Sequence, residues 1–166
     1  MAEKVLIVMG SDSDLSKLED CMHQLDDFGI EWSAAVCSAH RSPERAAELA
    51  RTAEDAGYGV IIAAAGLAAH LPGVLAAFTA LPVVGIPIAA GPLNGVDALL
   101  AEVQMPPGIP VATVAVNGSK NAAVLSAQIL ARGDRALGDK IRTFKAGLAE
   151  QVAEKDRRLQ ERLSQK

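Results

Sequence analysis

Two adjacent side chains, His40 and Arg41, suit chemistry on an anionic substrate. Histidine titrates near neutral pH, so His40 can both deliver and remove a proton. Arg41 carries a permanent positive charge on a planar fork that binds phosphate or carboxylate. Their segment, residues 38–43, follows a predicted strand and precedes a predicted helix that begins at Ser42 and Pro43. We expect a catalytic histidine beside an anion ligand; the structural alternative is that Arg41 pairs with a surface acid and His40 caps a turn.

A second polar segment, Gly-Ser-Asp-Ser-Asp at residues 10–14, also lies between a predicted strand and a predicted helix. The hydroxyls of Ser11 and Ser13, with free backbone N–H groups at a helix N-terminus, favour an anion site. Asp14 suits hydrogen bonds from ribose hydroxyls. The segment is neither a phosphate loop with its lysine nor a G-x-G-x-x-G motif. A plain run of helix-capping residues remains the alternative.

A third segment, residues 65–73, reads Ala-Gly-Leu-Ala-Ala-His-Leu-Pro-Gly. Small residues such as Gly66 let a backbone approach a ligand closely, and its N–H groups can then hold a carboxylate. His70 either contacts that ligand or caps the following helix. The sequence leaves these two alternatives open.

Short β-branched runs alternate with helical patterns, which predicts an α/β chain with a parallel sheet. Strands are predicted at residues 4–9, 31–37, 58–64, 81–87 and 111–116, most of them apolar throughout, as strands covered on both faces should be. Helices are predicted at residues 14–28, 43–56, 71–79, 95–103 and 121–131. Ligands of such sheets bind at the carboxyl ends of the strands, and the three segments described above all follow predicted strands.

We predict a single α/β domain over residues 1–166, with a compact core at about residues 4–131 and a helical extension at about 134–166. Within the extension, apolar residues recur at helical spacing, namely Leu137, Ile141, Phe144, Leu148 and Val152. A long amphipathic helix is therefore expected. It either covers its own domain or reaches a neighbouring subunit.

The composition disfavours several classes of function. A formal net charge of -4, from 20 acidic and 16 basic residues, argues against a nucleic-acid partner. The longest apolar run, residues 60–65, is too short to span a membrane, and the N-terminus lacks a signal-peptide pattern. We therefore expect a cytoplasmic protein with no membrane partner. Cys21 and Cys37 are expected to be reduced core residues, and the histidines show no metal-ligand spacing.

Taken together, these segments resemble the catalytic subunit of phosphoribosylaminoimidazole carboxylase, specifically its class I, the N5-carboxyaminoimidazole ribonucleotide mutases. The resemblance runs from about residue 4 to residue 131. Its motifs are residues 9–14 (Met-Gly-Ser-Asp-Ser-Asp), 38–41 (Ser-Ala-His-Arg), 68–73 (Ala-Ala-His-Leu-Pro-Gly), 93–100 (Leu-Asn-Gly-Val-Asp-Ala-Leu-Leu), 103–106 (Val-Gln-Met-Pro), 108–112 (Gly-Ile-Pro-Val-Ala) and 121–123 (Asn-Ala-Ala). A single motif is weak, but all of them in this order are specific.

The resemblance implies a three-layer flavodoxin-like fold, a homo-octamer with active sites between subunits, and no metal or organic cofactor. It implies a step of purine (IMP) biosynthesis in which a carbamate loses carbon dioxide, which is re-added at ring carbon four. His40 would first protonate the carbamate nitrogen and then take the proton from carbon four. The implied substrate-binding residues are Ser11, Ser13, Asp14, Ser38 and Arg41 for the ribose phosphate, and Gly66, His70 and Leu71 for the carboxylate or carbon dioxide.

Three segments depart from the class I pattern. Leu67 stands where a second glycine is usual, residues 89–92 (Ala-Ala-Gly-Pro) lack the usual polar groups, and residues 116–120 are about two residues short. Two alternatives stay open. One is the class II enzyme, which carboxylates aminoimidazole ribonucleotide directly; Arg41 and the third segment favour class I over it. The other is a non-catalytic nucleotide-binding module.

Overall fold

Five parallel strands form one sheet in the computed structural model, which describes residues 3–164. The order β2-β1-β3-β4-β5 is the flavodoxin-like one, so the predicted three-layer parallel architecture is confirmed. The sheet reverses its order between β1 and β3, where ligands of this architecture bind. The strands are β1 (Lys4–Met9), β2 (Trp32–Val36), β3 (Tyr58–Gly66), β4 (Val83–Ile88) and β5 (Ala112–Thr113).

Helices cover both faces of the sheet. They are α1 (Leu15–Phe28), α2 (Pro43–Thr52), α3 (Leu71–Ala76), α4 (Val96–Val103), α5 (Ser119–Leu130) and α6 (Arg135–Ser164). Alternate residues of β1 serve the two apolar layers: Val5 and Ile7 pack with α1 and α5, while Leu6 and Val8 pack with α2, α3 and α4. Burial on both faces explains why β1 is apolar along nearly its whole length.

Several elements are shorter than their sequence patterns predicted. Strand β5 was expected over residues 111–116 but pairs only at Ala112–Thr113. The chain then turns, with the N–H of Gly118 donating to the carbonyl of Ala115 at 2.8 Å. Helix α2 ends at Thr52 rather than residue 56, because hydrogen-bonded turns lead from there to Gly57, which has a φ of 87°. Likewise α3 ends at Ala76 and not at residue 79.

The predicted long C-terminal helix is present as α6, and its two ends differ in surroundings. Leu137 and Ile141 are buried against the domain, and the ring of Phe144 meets Phe28 at a centroid distance of 5.5 Å. Further along, Leu148 is 43% exposed and Val152 is 65% exposed. The first turns of α6 thus belong to the core, whereas the outer half presents apolar side chains to the surface.

The cysteines fit the sequence analysis, since Cys21 and Cys37 are both buried and free. Burial raises the pKa of the Cys21 thiol to about 12, as expected for an unreactive core residue. Among residues 3–164, no helix is long and apolar enough to cross a membrane.

Candidate active site

A cleft of about 470 Å³ opens where the sheet reverses its strand order, at the carboxyl ends of β1, β2 and β3. Backbone hydrogen bonds hold these ends together: the N–H of Gly10 donates to Ala64 at 3.0 Å, and that of Cys37 to Met9 at 2.9 Å. The cleft brings together eight of the nine residues singled out from the sequence, namely Ser11, Ser13, Asp14, Ser38, His40, Arg41, Gly66 and Leu71. His70 lies outside its lining and contacts His40 instead.

The segment after β1 forms a tight turn over Asp12–Asp14 that leads into α1. The hydroxyl oxygen of Ser11 caps this turn by accepting from the backbone N–H of Ser13 at 3.3 Å, and it lies 2.9 Å from the Ser13 hydroxyl. Asp14 is buried and lines the cleft. Burial raises the pKa of its carboxyl, while Ser11 and the nearby Lys17 act in the opposite direction. Hydroxyls and a desolvated carboxyl therefore face the same space.

The segment after β2 is shaped by two serines. The hydroxyl of Ser42 donates to the carbonyl of Ser38 at 2.9 Å and accepts from the Ser38 N–H at 3.2 Å. Ser42 does begin α2, as predicted, but its hydroxyl closes this loop and makes no capping hydrogen bond. The Ser38 hydroxyl in turn accepts from the backbone N–H of Arg41 at 3.3 Å.

Arg41 remains available to an anion, because its exposed guanidinium forms no ion pair within residues 3–164. The expected alternative, a pair with a surface acid, is therefore not observed in the part of the chain that the structure describes. Its closest polar side-chain contact is weak: Nε lies 3.5 Å from the hydroxyl of Ser38. Arg41 also lines the cleft.

The imidazoles of His40 and His70 form a hydrogen-bonded pair. Nε2 of His40 lies 2.9 Å from Nδ1 of His70, and the rings meet edge to face at an angle of 79°. His70 is the N-cap residue of α3, but its side chain makes no capping hydrogen bond and contacts His40 instead. One nitrogen must carry the hydrogen and the other must accept it, so the tautomer of one ring fixes which nitrogen of the other takes part. Nδ1 of His40 is the nitrogen that this pairing leaves free for a proton transfer.

The end of β3 and the segment after it close the apolar side of the cleft. A Cβ at Gly66 would lie 3.1 Å from the carbonyl oxygen of Ile88 and 3.0 Å from the Cβ of Ala90, so a larger residue would fit there only if these neighbours shifted. Leu67 adopts a φ of 56°, a left-handed conformation that favours glycine. Its side chain lies against Gly91, where an added Cβ would be 2.6 Å away. The wall of the cleft is thus built from small residues and one strained leucine.

Three functional candidates escaped the sequence analysis. Leu67, which the sequence showed only as a departure from the family pattern, lines the cleft, and Ala90 lines it from a loop after β4. Lys17 reaches from α1 to that loop, where Nζ donates to the carbonyl of Ala89 at 2.6 Å. A lysine three residues after Asp14 on a helix gave no signal of this contact. Within residues 3–164, no three His, Cys, Asp or Glu side chains are grouped closely enough to hold a metal ion.

Comparison with known proteins identifies the family. The sequence model of the AIR carboxylase family matches residues 4–151, and these residues include every segment of the cleft. The chain belongs to the AIR carboxylase family. Within this family it is similar to the N5-carboxyaminoimidazole ribonucleotide mutase of Pyrococcus abyssi, with 54% identity over 142 residues that cover 86% of this chain and 82% of the relative.

Other members agree in sequence and in fold. The protein of the same name from Pyrococcus horikoshii is 50% identical over 155 residues, which cover 93% of this chain and 88% of that one. The crystal structure of Treponema denticola PurE is similar with a TM-score of 0.86 at 29% identity, over 95% of this chain and 98% of that chain. The AIR carboxylase fold therefore extends over nearly the whole chain.

Proposed function

We propose that this protein is an N5-carboxyaminoimidazole ribonucleotide mutase, which converts its substrate to 4-carboxy-5-aminoimidazole ribonucleotide in purine (IMP) biosynthesis. One observation carries the proposal: His40 lies in a cleft with hydroxyls and Arg41 on one side and an apolar wall of small residues on the other. That arrangement suits a phosphorylated substrate that must exchange a small neutral molecule. The names of the relatives at about half identity agree with it.

The polar side of the cleft is the proposed ribose phosphate site. Arg41 offers a permanent charge with a bidentate fork, and the hydroxyls of Ser11, Ser13 and Ser38 offer hydrogen bonds to phosphate oxygens. Asp14 is placed to accept hydrogen bonds from ribose hydroxyls. Its burial makes an unpaired charge costly, so a ligand hydroxyl would relieve that cost.

His40 is the proposed acid and base. In the first half-reaction the bond between the carbamate nitrogen and its carboxyl carbon breaks, carbon dioxide leaves, and the electron pair on nitrogen takes a proton from His40. In the second, ring carbon four forms a bond to carbon dioxide and its proton returns to His40. The same nitrogen therefore ends each turnover as it began. His70 would hold the His40 ring in place through the hydrogen bond between them.

Carbon dioxide has no charge, so it can be held only by excluding water and blocking its exit. Gly66, Leu67, Ala68 and Ala90 form a wall suited to that task, together with Leu71. Backbone N–H groups near Gly66 can also hold the carboxylate before and after the transfer.

The test is a comparison of initial rates for the purified protein on two substrates at low dissolved carbon dioxide. The carbamate ribonucleotide should turn over, and aminoimidazole ribonucleotide should react only when bicarbonate is very high. Faster reaction of the second substrate would instead favour the class II carboxylase. No turnover of either substrate, with binding retained, would favour the non-catalytic module.

We also propose that the chain assembles as a homo-octamer in the cytoplasm. The exposed apolar residues of α4 and of outer α6, among them Leu100 and Val152, support assembly because such surfaces gain from burial. A phosphorylated substrate, which does not cross membranes unaided, supports the location. Light scattering should give a mass near eight times 17.2 kDa at micromolar concentration. A monomer would contradict the octamer, and deletion after Arg132 would show whether α6 contributes to it.

A further inference from the structure

Both backbone polar groups of Ala89 are held by side chains from distant parts of the chain. Its carbonyl accepts from Nζ of Lys17 on α1 at 2.6 Å, and its N–H donates to Oδ1 of Asn117 at 3.0 Å. Asn117 has a φ of 55°, which asparagine tolerates better than most residues. The backbone of Ala89 also packs closely against Gly95, because a Cβ at Gly95 would lie 3.0 Å from the Cα of Ala89.

These side-chain bonds stand where the strand pairing stops. Strand β4 pairs with β3 up to Ile88 beside Gly66, and Ala89 is the first residue beyond it. A partly buried backbone group without a hydrogen-bond partner costs free energy. The side chains of Lys17 and Asn117 supply the hydrogen bonds that a paired strand would otherwise give to Ala89. The next residue, Ala90, lines the cleft, and its Cβ would lie 3.0 Å from a Cβ added at Gly66. The position of Ala89 therefore sets the position of the wall.

We propose that Lys17 is a positioning residue that fixes the segment of residues 89–92, the roof segment, so that Ala90 closes the cleft against escape of carbon dioxide. This proposal rests on the proposed function. Lys17 does not line the cleft, and its ammonium donates to the backbone of the roof segment. Its charge also acts on the carboxyl of Asp14, so one side chain links the roof segment to the substrate side of the cleft.

The roof segment is held by a second contact, which lies at Gly91. The side chain of Leu67 lies against Gly91, which has a φ of 64° and no Cβ to obstruct it. Leu67 and Lys17 therefore hold neighbouring residues of the same segment, one by packing and the other by a charge-assisted hydrogen bond. The loss of either contact should widen the gap between Ala90 and Gly66 through which a small molecule can leave.

The experiment measures leakage, meaning the escape of carbon dioxide from the cleft before it is re-added to the substrate. The carbamate ribonucleotide is supplied in bicarbonate-free buffer, and the amount of aminoimidazole ribonucleotide released per carboxylated product is recorded. Lys17→Met should raise this ratio by about tenfold, the size expected for the loss of one charge-assisted hydrogen bond. Lys17→Arg, which keeps a cationic donor, should restore most of the wild-type ratio. Lys145→Met, at an exposed position on α6, is the matched control and should leave the ratio unchanged.

A second pair of variants tests the roof segment independently of α1. Asn117→Gly tolerates the positive φ but removes the acceptor for Ala89, so it should fold and leak, whereas Asn117→Asp keeps the acceptor and should not leak. An unchanged ratio in folded Lys17→Met, with a raised KM, would overturn the proposal and make Lys17 a phosphate ligand. An unchanged ratio with unchanged kinetics would also overturn it. A wild-type protein without mutase turnover would overturn the proposed function itself, and the two failures are thus distinct.

Discussion

The cleft and the interface between α4 and β4 each contain one notable titratable side chain. The first is exposed and the second is buried. His40 is exposed, has His70 as a hydrogen-bond partner and faces the space for a substrate. Glu102 on α4 is 1% exposed, and neither of its carboxyl oxygens has a hydrogen-bond partner within residues 3–164. It fits there because Gly85 on β4 has no side chain: a Cβ would lie 2.6 Å from Oε2 of Glu102.

Glu102 shows that an altered pKa does not by itself indicate a catalytic function. Burial raises the pKa of Glu102 to about 9, yet the residue lies outside the cleft and its carboxyl packs against Gly85. Perturbed groups indicate function only when a substrate can reach them. His40 meets that condition by geometry, and Glu102 is a core carboxyl that the fold keeps neutral.

The largest effect is expected at His40. His40→Asn removes the only proposed acid and base, and general acid–base catalysis alone contributes typically about 10²–10⁴-fold. Turnover should fall at least a hundredfold while binding of the ribonucleotide and the melting temperature stay close to wild type. His23→Asn, on the exposed surface of α1, is the control. More than a tenth of wild-type activity in His40→Asn would make another group the proton carrier.

A smaller effect on binding is expected at Arg41. Arg41→Ala should raise KM by about 10- to 100-fold, as expected for the loss of a hydrogen bond to a charged group, with a lesser change in kcat. The reason is that the phosphate contact proposed for Arg41 would be equally strong before and during the reaction. Steady-state kinetics with Arg45→Ala as the matched control on α2 provide the measurement. An unchanged KM would place the phosphate elsewhere in the cleft.

The smallest effect is on stability and concerns the other region. Between the ordinary pKa of 4.5 and the raised value of about 9, folded Glu102 keeps a proton that the unfolded chain has released. The free energy of unfolding should therefore fall as pH rises through this window, by at most about 1.4 kcal/mol per pH unit for one proton. Glu102→Gln should flatten this dependence and melt higher at pH 8, without changing kcat.

Chemical denaturation at several pH values gives the measurement, and Glu150→Gln on the exposed part of α6 is the control. The same slope in Glu102→Gln as in the wild type would show that Glu102 is already ionised in the folded chain. A change in kcat in Glu102→Gln would show that Glu102 affects catalysis as well as stability.

Sequence patterns predicted the parts of the fold that depend on continuous burial. Strand β1 was predicted with its correct ends, Lys4 and Met9, because both of its faces are covered and its residues are apolar nearly throughout. Edge strand β5 was overestimated, because its pattern of Val and Thr continues past the turn at Ala115 that ends the pairing. Burial leaves a periodic signal in the sequence, whereas the end of a strand depends on its neighbour.

The candidate site was predictable to a similar degree. Ser11 and His40 could be found because each follows a strand, and Gly66 because it ends one, all at the same edge of the sheet. Lys17 could not be found in this way, since its partner, the carbonyl of Ala89, is a backbone group 72 residues away. Any residue type offers such a carbonyl, so the sequence carries no sign of it.

In the proposed reaction, the cleft transfers carbon dioxide within one substrate molecule without releasing it to water. The most direct measurement uses carbamate ribonucleotide labelled with ¹³C in its carboxyl group, in buffer containing unlabelled bicarbonate and carbonic anhydrase. We expect the product of the first turnovers to retain most of the label at the carboxyl on carbon four. Product in which the label has equilibrated with the dissolved pool would contradict it, because carbon dioxide would then be captured from solution and not from the substrate.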